Sequence, residues 1–131
     1  MTLVIDASVA FDACAARDGF RPLGGEDLVG PPLLWSETRS SLHEATWRGA
    51  WSARAGELAH ERMATAPIRC ERPDALGPTA WEIANRLGWA KTYDAEYVAL
   101  ARLLGCRLLT ADERLRRGAG RVVEVLRPAD L

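Results

Sequence analysis

Short apolar runs of strand-forming residues alternate along this chain with longer stretches of helical periodicity, and that order restricts the fold more than any other feature. Leu3–Ile5, a short segment around Ile68, Arg107–Leu109 and Val122–Leu126 read as strands, and helical segments separate them. Strands joined through helices pair in parallel, with the helices crossing over the faces of the sheet. The expected class is therefore α/β: a central, mostly parallel sheet flanked by helices in an α/β/α sandwich. A chain of 131 residues can bury a substantial core as one domain, taken as 1–131.

The helical segments carry their own signals. Ser8 is a suitable N-cap for a helix running from Val9 to about Arg17. Residues 19–30 hold four glycines and a proline without periodicity, which predicts a loop. From Leu34 to about Arg48, the residues Leu34, Thr38, Leu42 and Ala45 share one helical face. Gly49 ends that helix, and a second from about Ser52 to Met63 completes a hairpin with Trp47 and Trp51 near its tip. Pro78–Leu87 forms another helix. Thr92 is placed to cap Tyr93–Leu104, a segment apolar nearly all round and hence buried, with Gly105 just past its end. Thr110-Ala111-Asp112-Glu113 has the spacing of a capping box for a short helix reaching about Arg117.

Hydrophobic content of 48% and charged content of 27% are ordinary for a globular protein. No apolar run is long enough to span a bilayer, and the N-terminus lacks a secretory pattern, so a cytoplasmic location is expected. Cys14, Cys70 and Cys106 show no CxxC spacing, which suits reduced cysteines used as small apolar residues. With only His43 and His60 beside them, both expected on helix surfaces, a zinc site is not indicated. Net charge is −1, but its distribution is uneven. Through Glu37 there are six acids against two arginines, and from Arg102 to Arg127 seven arginines against three acids.

Four acids stand where the pattern gathers functional groups. Asp6 ends the first strand, and in open α/β sheets ligands bind just beyond the carboxyl ends of strands. Glu37 is expected in the first turn of its helix, Asp94 two residues past Thr92, and Asp112 two residues past Thr110, beyond another strand end. Singly, an acid in a first helical turn needs no function, since the macrodipole alone stabilises it by about 0.3–1 kcal/mol. Converged on one sheet edge, the four would repel. Each pair about 4–6 Å apart costs roughly 3–4 kcal/mol at an effective dielectric near 20. Such a cluster must take up protons, recruit arginines or bind a cation, and all-oxygen ligation selects Mg²⁺ or Mn²⁺.

Val4-Ile5-Asp6-Ala7-Ser8, Trp35-Ser36-Glu37, the run from Tyr93 to Ala101, and Leu108-Leu109-Thr110-Ala111-Asp112-Glu113 resemble the four motif regions of the PIN-domain nucleases. The likeness is greatest to the VapC-type toxins of bacterial toxin–antitoxin pairs, and it covers essentially the whole chain. It implies a single PIN-like domain and a Mg²⁺- or Mn²⁺-dependent endoribonuclease. The family's acidic quartet falls on Asp6, Glu37, Asp94 and Asp112, with Ser8 and Thr110 as polar companions that contact substrate. It further implies a homodimer silenced by a small VapB-like antitoxin whose C-terminal segment covers the active-site groove. Many members have an acid two residues after the last aspartate. Here that position is Arg114, so a second metal would need Glu96 or Glu113 instead. Residues 19–30 have no match in the family.

The mechanism expected is hydrolysis of an RNA phosphodiester by an activated water. Asp6, Asp94 and Asp112 would hold the cation, Glu37 would orient the water, and the C-terminal arginines would follow the RNA backbone. Two other readings fit parts of the pattern. A Mg²⁺-dependent phosphatase or phosphotransfer domain also places aspartates at strand ends, but would want an aspartate where Ser8 stands, or a strand-end lysine where Lys91 precedes a helix. A catalytically inactive binding protein on the same fold has no reason to keep all four acids.

Overall fold

The computed structural model describes residues 1–131. Five strands form one parallel sheet: β1 (Thr2–Ile5), β2 (Asp27–Gly30), β3 (Ile68–Cys70), β4 (Arg107–Leu109) and β5 (Val125–Leu126), in the order β3-β2-β1-β4-β5. Six helices connect them: α1 (Ala7–Ala15), α2 (Leu33–Trp47), α3 (Ala53–Ala64), α4 (Leu76–Leu87), α5 (Tyr93–Leu104) and α6 (Glu113–Ala119). No helix is long and apolar enough to cross a membrane.

From β1 the chain winds outward through β2 to β3, then returns across the sheet to β4 and β5. Right-handed crossovers in opposite directions put their helices on opposite faces. Accordingly α1, α2 and α3 pack together, while α5 packs with α4 and α6 and lies against β1 and β4. With both faces covered, Leu3, Val4 and Ile5 of the central strand are fully buried. Six residues of α5, including Tyr97, are buried as its all-round apolarity requires.

Between β1 and β4 the strand order reverses, which opens a crevice at their carboxyl ends. β1 pairs with β4 in the register Ile5 to Leu109, and the Asp6 amide continues the ladder by donating to the Leu109 carbonyl at 3.3 Å. Asp6 and Thr110 are thereby neighbours at that crevice.

Several local expectations need correction. The stretch 19–30 is not all loop: Arg21–Leu23 forms a 3₁₀ turn, and Asp27–Gly30 is β2, which pairs with both β1 and β3. Its apolar content is only Leu28-Val29, too short to show a period; pairing on both edges makes it a strand. Asp6, not Ser8, caps α1, because its carboxylate reaches the Val9 amide first. Asp112, not Thr110, caps α6, accepting from the amides of Arg114 and Leu115. Thr92 makes no capping hydrogen bond. Glu37 lies in the second turn of α2, because that helix begins at Leu33. Val122 and Val123 form a turn onto Ala119, leaving the last strand only two residues long.

Candidate active site

Asp6 is the hub of the sheet edge. Its carboxylate is buried and accepts three hydrogen bonds: from the Ser8 hydroxyl at 2.6 Å, the Val9 amide at 3.1 Å and the Thr110 hydroxyl at 2.5 Å. Both hydroxyls are themselves fixed from behind. Ser8 Oγ accepts from the Ala111 amide at 3.0 Å, and Thr110 Oγ1 accepts from the Asp112 amide at 3.0 Å. Each hydroxyl therefore has its single proton committed to Asp6. Burial raises the Asp6 pKa above the ordinary carboxylate value; the three hydrogen bonds oppose that shift, and the charge of Asp112 adds to it.

The other three acids converge around this hub. Asp94, in the first turn of α5, has its pKa raised by desolvation, then by the charges of Glu37, Asp112 and Asp6, while Arg114 counters. Asp112 spends one oxygen, Oδ1, on capping α6 and leaves Oδ2 without a protein partner. Glu37 receives the buried Tyr97 hydroxyl on Oε1 at 2.5 Å, leaving Oε2 free. That contact was not anticipated. Its only sequence signal is a tyrosine on a buried helix face, since a buried phenol needs a partner. None of the four acids forms an ion pair, although nine other acidic groups do.

Of the side chains considered for a second metal, Glu113 is taken by Arg116 at 2.7 Å and does not join the cluster. Glu96 feels the Glu37 charge but lines the adjoining cavity beside Asp74 and Trp81. Arg114 lines the groove that holds Glu37 and Asp94. His43 and His60 lie on the surface around a separate depression between α2 and α3, and all three cysteines are free.

A divalent cation fits this donor set by chemistry. The available atoms are carboxylate oxygens that form no ion pair, offset only by the nearby charge of Arg114, and such oxygens are the ligands that hard ions prefer. No three His, Cys, Asp or Glu side chains close into a ready-made cage. Mg²⁺ does not need one, because it binds through one or two carboxylates and retains waters.

A five-stranded parallel sheet with this order, and acids meeting where its strand order reverses, defines an α/β domain built to handle a charged ligand at one edge. The chain belongs to the PIN-domain family, on its VapC-type branch: the PIN domain model matches residues 3–121. It is 36% identical over 114 residues to Ribonuclease VapC9 of Mycobacterium tuberculosis, covering 86% of this chain and 87% of that protein. The fold is similar to PAE2754 from Pyrobaculum aerophilum, with a TM-score of 0.76, 22% identity, and coverage of 98% of this chain and 93% of that one. VapBC2 from Rickettsia felis, solved bound to a DNA fragment from its promoter, matches with a TM-score of 0.70 at 9% identity, over 97% and 98% of the two chains.

Proposed function

We propose that residues 1–131 form one nuclease domain that acts in the cytoplasm as a Mg²⁺- or Mn²⁺-dependent endoribonuclease, the toxin of a toxin–antitoxin pair. The observation that carries this reading is the set of four unpaired carboxylates, Asp6, Glu37, Asp94 and Asp112, at the crevice between β1 and β4. The 36% identical relative named as a ribonuclease supports RNA as the substrate.

Asp6, Asp94 and Asp112 would hold the cation, with Glu37 beside them. When bound, such an ion lowers the pKa of water and neutralises charge developing on a phosphate. The chain supplies placement. Ser8, Thr110 and the Val9 amide lock the Asp6 carboxylate in one orientation, so its position is prepaid in the fold. Tyr97 anchors one Glu37 oxygen and leaves the other to orient the attacking water and accept its proton. The water oxygen bonds to phosphorus as the bond between phosphorus and the ribose oxygen breaks, Glu37 takes the water's proton, and solvent water protonates the leaving ribose oxygen. Ser8 and Thr110, with their protons committed to Asp6, serve substrate contact only through their oxygens.

A small VapB-like antitoxin laid across the groove would silence the enzyme, and a homodimer would be the working unit. Purified protein freed of antitoxin is expected to cut RNA in Mn²⁺, to stop in EDTA, and to lose at least a hundredfold in rate as Asp94→Asn. Cleavage that persists in EDTA or in that variant would falsify the proposal. Co-expression with the adjacent short reading frame should yield a stable complex, and light scattering should give the dimer mass.

A further inference from the structure

The carboxylate oxygens of the four acids are not equally available. Both oxygens of Asp6, Oδ1 of Asp112 and Oε1 of Glu37 already accept hydrogen bonds from the protein. Asp112 Oδ2, Glu37 Oε2 and the pair on Asp94 remain. A single hard cation needs no more, because it binds through one or two carboxylates and keeps waters. Two ions held about 3.5–4 Å apart would have to divide the same few oxygens between them. Glu113 and Glu96 do not enlarge the set, since the first pairs with Arg116 and the second lines the adjoining cavity.

Arg114 occupies the same neighbourhood. It lies in the first turn of α6 and lines a groove of about 500 Å³ together with Glu37 and Asp94. Its backbone amide donates to Asp112 Oδ1 at 2.9 Å, so the main chain ties this residue to one of the acids. Its guanidinium joins no ion pair, whereas Arg116 on the same helix does. Of the two cations in the groove, Lys91 and Arg114, Arg114 is the one whose charge is felt at Asp94. Helix chemistry does not account for it, because a cation in the first turn faces the positive end of the macrodipole.

We propose that each chain holds one divalent cation and that the Arg114 guanidinium stands in for a second, supplying fixed positive charge beside Asp94. The inference rests on the nuclease reading above and adds the metal stoichiometry of that site. A permanent cation carried by the fold repels another mobile one and needs no ligands of its own.

The test is metal binding without RNA. Metal-stripped, antitoxin-free protein is titrated with Mn²⁺ at low ionic strength, and the free ion is counted by its electron paramagnetic resonance signal. Wild type should bind one Mn²⁺ per chain. Arg114→Gln should still bind one, on the order of tenfold more tightly, because a like charge close to the ion has gone. Arg114→Asp should bind a second, and Arg114→Lys, which keeps the charge, should behave as wild type. Arg117→Gln, on the same helix but outside the groove, should change nothing.

A second equivalent in wild type, an unchanged affinity in Arg114→Gln, or a single equivalent in Arg114→Asp overturns the proposal. Cleavage reports separately on the parent reading. Two bound ions with Mn²⁺-dependent cutting intact sink the stoichiometry and keep the nuclease, whereas no bound Mn²⁺ and cutting that persists in EDTA sink both.

Discussion

Asp6 combines two roles that pull its energetics in opposite directions. As the cap of α1 it stabilises the helix by about 1 kcal/mol. As a buried carboxylate facing Asp112 it is held above the usual carboxylate pKa, so its charged form costs stability. The fold binds that proton more tightly than the unfolded chain does. Its contribution is therefore favourable below the unfolded value near 3.8 and is lost as pH rises through the raised folded value. Metal-free Asp6→Asn, which keeps a capping oxygen but no charge, should melt at or above wild type at neutral pH. That advantage should shrink toward pH 4. Asp6→Ala should melt lower than Asp6→Asn by about 3 °C, the equivalent of a lost cap in a domain of this size. Thermal melts across the pH range check both. Ser8→Ala removes a donor that lowers the Asp6 pKa, so the acid limb of the pH–rate profile should move to higher pH.

Between helices, the α2–α3 hairpin depends on one glycine. Thr46 Oγ1 donates to the Leu42 carbonyl at 2.8 Å and accepts from Trp51 Nε1 at 2.7 Å, and Trp51 stacks on Phe11 of α1. Gly56 of α3 faces this junction; a Cβ there would run into the Thr46 hydroxyl. Glycine to alanine inside a helix ordinarily gains about 1 kcal/mol. Here the sign should reverse, with Gly56→Ala destabilising by about 1–3 kcal/mol through overpacking. A denaturant midpoint at or above wild type would show that the hairpin relaxes freely. Elsewhere the elements were largely legible. The buried face Leu34, Thr38, Leu42 and Ala45 of α2, the strand at Ile68 and the glycine stop at Gly105 all stand as read, because each rests on local periodicity or turn chemistry. α4 starts at Leu76 rather than Pro78, since proline is tolerated in a first turn and does not mark its beginning.

Across the whole molecule, the uneven charge is partly neutralised within the fold. Arg102, Arg107, Arg116 and Arg127 lie against Glu82, Glu124, Glu113 and Asp130 in surface ion pairs, which contribute little to stability. The four acids at the β1–β4 crevice form no ion pair and only Arg114 offsets their charge, and that imbalance couples metal binding to stability. A cation that binds only the folded state raises the melting temperature by mass action. Because the raised pKa values of Asp6 and Asp94 set protons in competition with the ion, the Mn²⁺-induced shift should be larger at pH 8 than near pH 5. A shift independent of pH, or one retained when Asp6 and Asp94 are both replaced by asparagine, would place the ion elsewhere.

The sequence by itself determined the parallel α/β architecture, the buried α5 and the four acids near strand ends or helix starts, because periodicity and chain order are local properties. It could not show which neighbour each polar atom chooses. Ser8 and Thr110 look like helix caps in one dimension. Only the pairing of β1 with β4 brings them to either side of Asp6, where each donates its proton to the carboxylate while its oxygen accepts a backbone amide of the turn after β4. The strand Asp27–Gly30 was invisible for the same kind of reason: two apolar residues between glycines and acids carry no pattern until β1 and β3 flank them. The partnership of Tyr97 with Glu37 links side chains 60 residues apart, and only the packing of α5 on the sheet could supply it.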